Sequence, residues 1–464
     1  MTISLDYTNI FASASGAPGL AVPEFRNAAE RFREAHAAVE QMRAAGTLGF
    51  LDLPADRDLL AQTTRFVQGR RGRDDDVVVL GIGGSALGPI ALRTALRPSG
   101  WNALSREKRD GWPRLHVLDN VDPVTIAALL DRLDLARTLF VVTSKSGGTA
   151  ETMAQFLVVR ERLRTTLGEG ALAERLVLVT DPAKGVLRAI AREEGIPALD
   201  IPANVGGRFS VMTPVGVLPA ALAGVDVGAL LEGAADTRRR CDTATLGENP
   251  AGVFAVLQWL QDVRCGRRIQ VLMPYADELR DVAAWFVQLW AESLGKITPQ
   301  GASVGPTPLA ALGATDQHSQ VQLFMEGPAD KTVTFVAVGE RTTDVEIPRG
   351  YGADQKELGY LGGHTLGELL GIEQRATAGA LARRGRPNMT VHLDRVDPWH
   401  FGGLMMLFEI ATAYAGDLYG VNAFDQPGVE LGKQFAYAML GRADAAGARA
   451  EWEKLPQPDP NYRV

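Results

Sequence analysis

Short apolar runs alternate with longer stretches in which apolar residues recur at helical spacing, starting near Asp76 and continuing through most of the chain. The runs "VVVLG", "RLHVLDN", "TLFVVTS", "RLVLVTD" and "IPALDIP" predict strands, and the segments between them predict helices. A succession of strand and helix units predicts a parallel, doubly wound sheet. After a largely helical stretch from Thr213 to Gln261 the alternation resumes with "RIQVLMPY", the helix "ELRDVAAWFVQLWAESLGK", and the strands "KTVTFVAVG" and "MTVHLDRV". The expected architecture is therefore α/β, with two doubly wound parallel-sheet units. Upstream, Val22 to Ala45 shows helical spacing, and downstream the Pro-rich "EWEKLPQPDPNYRV" is expected to be extended. The boundaries drawn from these shifts are 1–70 for a helical N-terminal segment, 71–235 and 236–415 for the two sheet units, and 416–464 for a C-terminal helical segment and tail.

Composition narrows the classes. A chain of 464 residues with 46% hydrophobic and 22% charged residues has the profile of a globular enzyme-sized protein. A net charge of −7 and the lack of a long Lys/Arg run leave no electrostatic footprint for nucleic acid. Cys241 and Cys265 are too few for a disulfide framework or a metal cluster, and the six His include no HExxH pair. The first residues show no basic and apolar leader pattern, and no apolar run reaches membrane-spanning length, so a cytoplasmic protein is expected.

The candidate chemistry lies in the turns. "TSKSGGTAETM" places Ser144, Lys145, Ser146 and Thr149 around Gly147 and Gly148 at a strand-to-helix turn. Unpaired N–H groups at a helix start carry the positive end of its dipole, so hydroxyls and a lysine there suit a phosphate; an ordinary capped turn is the bland alternative. "GIGGSALGP" partly matches a dinucleotide-binding turn, but the acidic residue that should follow, Asp119, lies beyond a long helix and a polar stretch. With Ser85 in the turn, two glycine-rich turns opening at one sheet edge favour a phosphorylated sugar over a dinucleotide. In "NVGGRFSVMTP", Gly207 permits close backbone approach and Arg208 supplies forked donors, unless Arg208 pairs with an interior carboxylate.

Glu292 lies near the end of the Trp-rich helix. A carboxylate among tryptophans and leucines would be partly desolvated and its pKa raised toward general-base use; the competing reading is a solvated Glu or one paired with Lys296. His318, beside Asp316 in the polar loop "GATDQHSQVQLF", is a candidate proton carrier, although a lone His is more often structural. "FDQPGVELGKQFAYAML" puts Gln426 before a Pro-Gly turn and Lys433 near a helix start, where a cation opposes the dipole.

Taken in order, "GIGGSALGP", "SKSGGTAET", "VGGRFSV", "PYADELRDVAAWFVQLWAESLGK", "GATDQHSQVQLF" and "FDQPGVELGK" resemble the glucose-6-phosphate isomerase family over most of the chain. The resemblance implies two sugar-isomerase (SIS) domains, no cofactor and no metal, and a homodimer with shared active sites acting on a sugar phosphate. It further implies that Ser144, Lys145, Ser146 and Thr149 hold phosphate with Ser85 close by, that Glu292 moves the proton, and that Arg208 stabilises an enediolate. His318 and Lys433 match the pair that opens the sugar ring, and Gln426 contacts substrate. The chain departs from many members in carrying Gly147 and Gly148 where they have bulkier residues, which leaves selectivity against mannose 6-phosphate open. A sugar-phosphate sensor would keep the "SKSGGT" loop without needing Glu292, Arg208 and His318, and a dehydrogenase would need a nicotinamide.

Overall fold

The computed structural model describes residues 3–13, 19–350, 356–456 and 458–463. Its strands are β1 (Ser4–Asp6), β2 (Asp76–Leu80), β3 (Arg114–Leu118), β4 (Thr138–Thr143), β5 (Leu176–Thr180), β6 (Ala198–Asp200), β7 (Ile269–Pro274), β8 (Lys296–Ile297), β9 (Ser303–Val304), β10 (Thr307–Ala310), β11 (Lys331–Val338) and β12 (Asn388–Leu393).

The first sheet has the order β3-β2-β4-β5-β6 and is parallel throughout. Its strands read as apolar runs because both faces are covered: Val77, Val79, Leu139, Val141, Val177 and Val179 join one core, while Val78, Leu80, Phe140, Val142 and Leu178 join another. Because β2 lies between β3 and β4, the winding reverses there, and the turns after β2 and β4 open side by side at the carboxyl edge. Those turns are "GIGGS" and "SKSGG".

The second sheet has the order β1-β12-β11-β7-β10 and repeats the pattern, with β7 lying between β10 and β11. Two of its strands depart from the expected pattern. β10 falls in the Pro-rich "GPTPLAAL"; it is an edge strand paired only with β7, where Pro308 is tolerated. β1 comes from the N-terminal segment expected to be helical and pairs antiparallel with β12, so this sheet is not wholly parallel.

The expected helical segments form as Val22–Asn27 and Ala29–Ala44 near the start, and as Pro214–Leu222, Val227–Arg240 and Pro250–Val263 between the sheets. The 235/236 limit falls inside Val227–Arg240, which packs along the buried helix Pro398–Tyr419. The tail is only partly extended, since Ala446–Trp452 is helical and Pro460–Tyr462 forms a helical turn. Helix Arg280–Leu294 joins the halves. It packs on Leu87–Leu96, Phe286 stacks on Trp290 at 5.3 Å between ring centres, and Trp290 donates to the Gln270 side chain at 2.6 Å.

Candidate active site

The turn after β4 is built to leave donors free. Thr149 is the residue preceding helix Ala150–Leu167 and has the extended conformation of a cap, yet its hydroxyl makes no capping bond; it meets the Ser144 hydroxyl at 3.1 Å instead. The first N–H groups of that helix therefore remain available to an anion beside two hydroxyls. Gly147 has φ +64°, and a Cβ there would stand 2.9 Å from the Leu187 nitrogen, so conformation and space both require glycine. Ser146 accepts from the Gly148 N–H at 3.3 Å.

Lys145 turns toward the next loop. Its Nζ donates to the Ala203 and Val205 carbonyls, both at 2.8 Å, which leaves one ammonium hydrogen for a ligand. Burial holds its pKa below the ordinary lysine value, and Asp181 opposes that shift. Val205 leads directly into Gly206, Gly207 and Arg208. A Cβ at Gly84 would lie 2.3 Å from the Gly207 carbonyl oxygen, so the "GIGGS" and "GGRFS" turns touch backbone to backbone. Ser85, half-buried in the first of these turns, donates its N–H to the Ile82 carbonyl at 3.1 Å.

Arg208 is buried at 4% exposure and engages acceptors all round its guanidinium. Nε donates to Ser293 Oγ at 2.7 Å; Nη2 donates to the Ala423 carbonyl and, at 2.9 Å, to the Asp425 carbonyl. Nη1 donates to Glu292 Oε2 at 3.3 Å and to Gln426 Oε1 at 3.2 Å. Desolvation lowers the Arg208 pKa, with Glu292 opposing; a guanidinium starts so high that it stays charged. The two Nη1 contacts are the long ones, and they are the pair a substrate oxygen can displace while the other bonds keep the group in place. The interior carboxylate that Arg208 pairs with is thus Glu292 itself.

Of the settings its sequence left open, Glu292 takes the partly solvated one and not the apolar one. Its side chain is 33% exposed and bordered by Arg208 and by Gln288, whose Nε2 lies 3.4 Å from Oε1. Trp285 shares its helix face but two turns earlier, about 10 Å along the axis, and Trp290 points to the opposite side. The competing pairing with Lys296 does not form; Lys296 binds Asp425 at 3.2 Å and the carbonyls of Ser293 and Asn422.

Gln426 meets Arg208, while Lys433 reaches none of these groups: it is exposed and pairs with Glu430 at 2.8 Å, which relieves the expected conflict at the helix start. Its helix Glu430–Met439 nonetheless approaches the phosphate-type turn, because Tyr437 donates to the Gly148 carbonyl at 3.4 Å. His318 is exposed at the end of the turn Thr315–Gln317, and among the described residues it has no hydrogen bond or ion pair with the site. Asp316 is occupied by the Leu312 N–H and the Ser319 hydroxyl, at 2.8 and 2.6 Å. Gln288 and Tyr437 escaped the sequence reading. Gln288 stands one turn before Glu292 on the same face, a spacing that could have pointed to it; for Tyr437 nothing local could have.

A family model for phosphoglucose isomerase matches residues 64–349 and 374–454. The glucose-6-phosphate isomerase of Rubrobacter xylanophilus is 46% identical over 95% of this chain and 98% of its own. That of Carboxydothermus hydrogenoformans is 44% identical over 98% of both chains. Among solved structures, a hypothetical protein of Thermus thermophilus superposes with a TM-score of 0.84 at 40% identity, covering 95% of this chain and 100% of that one. A glucose-6-phosphate isomerase of Chlamydia trachomatis shares the fold, with a TM-score of 0.80 at 22% identity over 95% of this chain and 91% of its own.

Proposed function

The chain belongs to the phosphoglucose isomerase family, and from that premise we propose how it interconverts glucose 6-phosphate and fructose 6-phosphate, the aldose–ketose step of glycolysis and gluconeogenesis. The observation that carries the assignment of roles is the contact between Glu292 and Arg208, whose turn touches the "GIGGS" turn backbone to backbone and receives the Lys145 ammonium at Val205.

The substrate phosphate lies at the start of helix Ala150–Leu167, held by Ser144, Ser146, Thr149 and the free ammonium hydrogen of Lys145, with Ser85 and Gly207 lining the sugar chain. Once the ring is open, Glu292 removes the proton on C2 of the aldose. The electron pair moves into a C1–C2 double bond, and the C1 oxygen takes up the charge of a cis-enediolate. The same carboxylic acid returns the proton to C1, O1 gains a hydrogen and O2 loses one, so the ketose forms with no oxidant, metal or cofactor consumed. Arg208 places Nη1 beside the developing oxyanion, where a preorganised donor in a buried site lowers the barrier by about 3–4 kcal/mol. Its positive charge is fixed before the reaction begins, so little reorganisation accompanies the step.

Ring opening needs an acid and a base at the ring oxygen and anomeric hydroxyl, roles given to His318 and Lys433 with Gln426 contacting substrate. Among the described residues His318 has no hydrogen bond or ion pair with the site of its own chain, which supports a homodimer in which the histidine of a second copy completes each site. A cytoplasmic enzyme fits its free Cys241 and Cys265; no helix among the described residues is long and apolar enough to cross a membrane. Turnover of fructose 6-phosphate by the purified protein, coupled to detection of glucose 6-phosphate and run without added metal or cofactor, tests the reading. Tight sugar-phosphate binding with no turnover would make the protein a sensor.

A further inference from the structure

The second sheet repeats the winding of the first, so it has its own reversal point beside β7. Open α/β sheets bind ligands at that place. A cavity of about 830 Å³ occupies it, lined by the turns that follow all three strands concerned: Ala276–Glu278 after β7, Gly313–Thr315 after β10, and Arg341–Thr343 after β11. The size is that of a small-molecule site. It lies at the far end of helix Arg280–Leu294 from Glu292 of the same chain, roughly 20 Å away along the helix.

The chemistry of the wall is specific. In the first sheet the turn after the strand beside β2 carries Ser144, Lys145 and Ser146; in the second, the turn after the strand beside β7 carries Arg341, Thr342 and Thr343. A second guanidinium, Arg97, enters from the end of helix Leu87–Leu96. Neither arginine has a carboxylate in ion-pair contact among the described residues. Arg341 donates to the Tyr275 carbonyl at 3.1 Å, and Arg97 donates to the Leu96 carbonyl and lies over the Trp101 ring. Burial lowers the Arg97 pKa, with Asp110 opposing. Two of the wall's carboxylates are already bound, Asp277 to Arg280 at 3.3 Å and Asp397 to Arg395 at 3.0 Å and His400 at 2.8 Å. Glu278 remains, together with the threonine hydroxyls.

We propose that this cavity is a second ligand site for a small phosphate ester, with Arg97 and Arg341 holding the phosphate and Glu278, Thr342 and Thr343 taking hydroxyl groups of its carbon chain. Two half-buried guanidiniums facing one cavity, Arg341 feeling Glu278 and Asp344 without forming an ion pair with either, match a phosphate's oxygens in charge and fork geometry.

Equilibrium dialysis of the full-length protein with 6-phosphogluconate, and separately with inorganic phosphate, tests this. The wild type is expected to bind two molecules of 6-phosphogluconate per chain. Arg97→Gln combined with Arg341→Gln should weaken one of them about ten-fold or more while isomerase turnover stays unchanged, and Ser144→Ala with Thr149→Ala should weaken the other. Two bound inorganic phosphates would show that the phosphate alone suffices; one would show that the carbon chain is needed. If the glutamine variant does not fold, Arg97→Lys with Arg341→Lys should fold and keep both sites. A stoichiometry of one 6-phosphogluconate per wild-type chain, or two that survive the glutamine substitutions intact, would overturn the proposal.

Discussion

Replacing Arg208 by Lys separates charge from geometry at the centre of the site. Arg208 engages five acceptors: Ser293 Oγ, Glu292, the Gln426 side chain, and the Ala423 and Asp425 carbonyls. An ammonium has three hydrogens converging on one atom, so at least two acceptors lose their donor. The Ser293 hydroxyl and the Ala423 carbonyl are buried, whereas Glu292, Gln426 and the Asp425 carbonyl are partly exposed and can turn to water. A buried acceptor left unpaired costs about 1–3 kcal/mol, so Arg208→Lys should destabilise the fold by about 1–3 kcal/mol for each of those two that loses its donor, read as a lower urea midpoint with an unchanged slope. The retained positive charge does not restore catalysis, because the donor is no longer held where the enediolate oxygen forms. Losing one well-placed donor costs about 3–4 kcal/mol in the transition state, a fall in kcat of about 10²–10³-fold. The residues proposed to grip the phosphate lie on other elements, so KM should change little. Steady-state kinetics at a temperature well below the variant's unfolding transition separate these effects. A kcat within about three-fold of wild type would refute the claim that the fork geometry matters, and a loss carried mainly by KM would move Arg208 into substrate binding.

Three further outcomes follow. Ser144→Ala with Thr149→Ala should weaken a sugar phosphate by about ten-fold or more and leave the unphosphorylated sugar unaffected, since hydrogen bonds to a charged group contribute about 1.5–3 kcal/mol each; equal losses for both ligands would place the phosphate elsewhere. Because burial sets the Lys145 pKa below the ordinary value of 10.5, its charge is complete at lower pH and lost as pH rises through the lowered pKa. The free-enzyme profile of kcat/KM should then decline on the alkaline side before 10.5, and Lys145→Arg, which does not titrate there, should remove that limb. Inactive Glu292→Gln and His318→Ala protomers, unfolded together and reassociated, should recover about a quarter of wild-type activity, because about half the dimers are mixed and one site of each is intact; no recovery with mixed dimers confirmed by mass would place His318 in its own chain's site.

What the sequence disclosed and what it hid divide along physical lines. The central strands were legible because burial on both faces writes an apolar run into β2, β4 and β5. β1 was not: it is three residues long and has meaning only through pairing Ser4–Asp6 with residues 390–392. β10 hid behind Pro308, which is allowed at a sheet edge and would argue against a central strand.

The site shows the same division. The glycine-rich turns were readable because their backbone conformation restricts the residue type, as at Gly147. Which residues surround Glu292 was not readable, because periodicity gives the face of a helix and not the partner that face meets at each turn. The same face of Arg280–Leu294 is core at Trp285 and polar at Gln288 and Glu292. Arg208 was assigned a charge role from its glycine neighbours, but its five partners come from two segments far apart in the chain, and the Ala423–Gln426 turn in particular is placed only by tertiary folding.

The most direct test of the account follows the hydrogen on substrate carbon. Wild-type protein turned over in deuterium oxide should place deuterium at C2 of glucose 6-phosphate, as a proton carried by a partly exposed carboxylate exchanges with solvent before it is returned. Glu292→Gln keeps the size of the side chain and its contacts with Gln288 and Arg208 but cannot take the proton. In that variant the account predicts no deuterium at C2 while 6-phosphogluconate still binds. Deuterium incorporated by Glu292→Gln at a rate near wild type would contradict the account and assign the base to another residue.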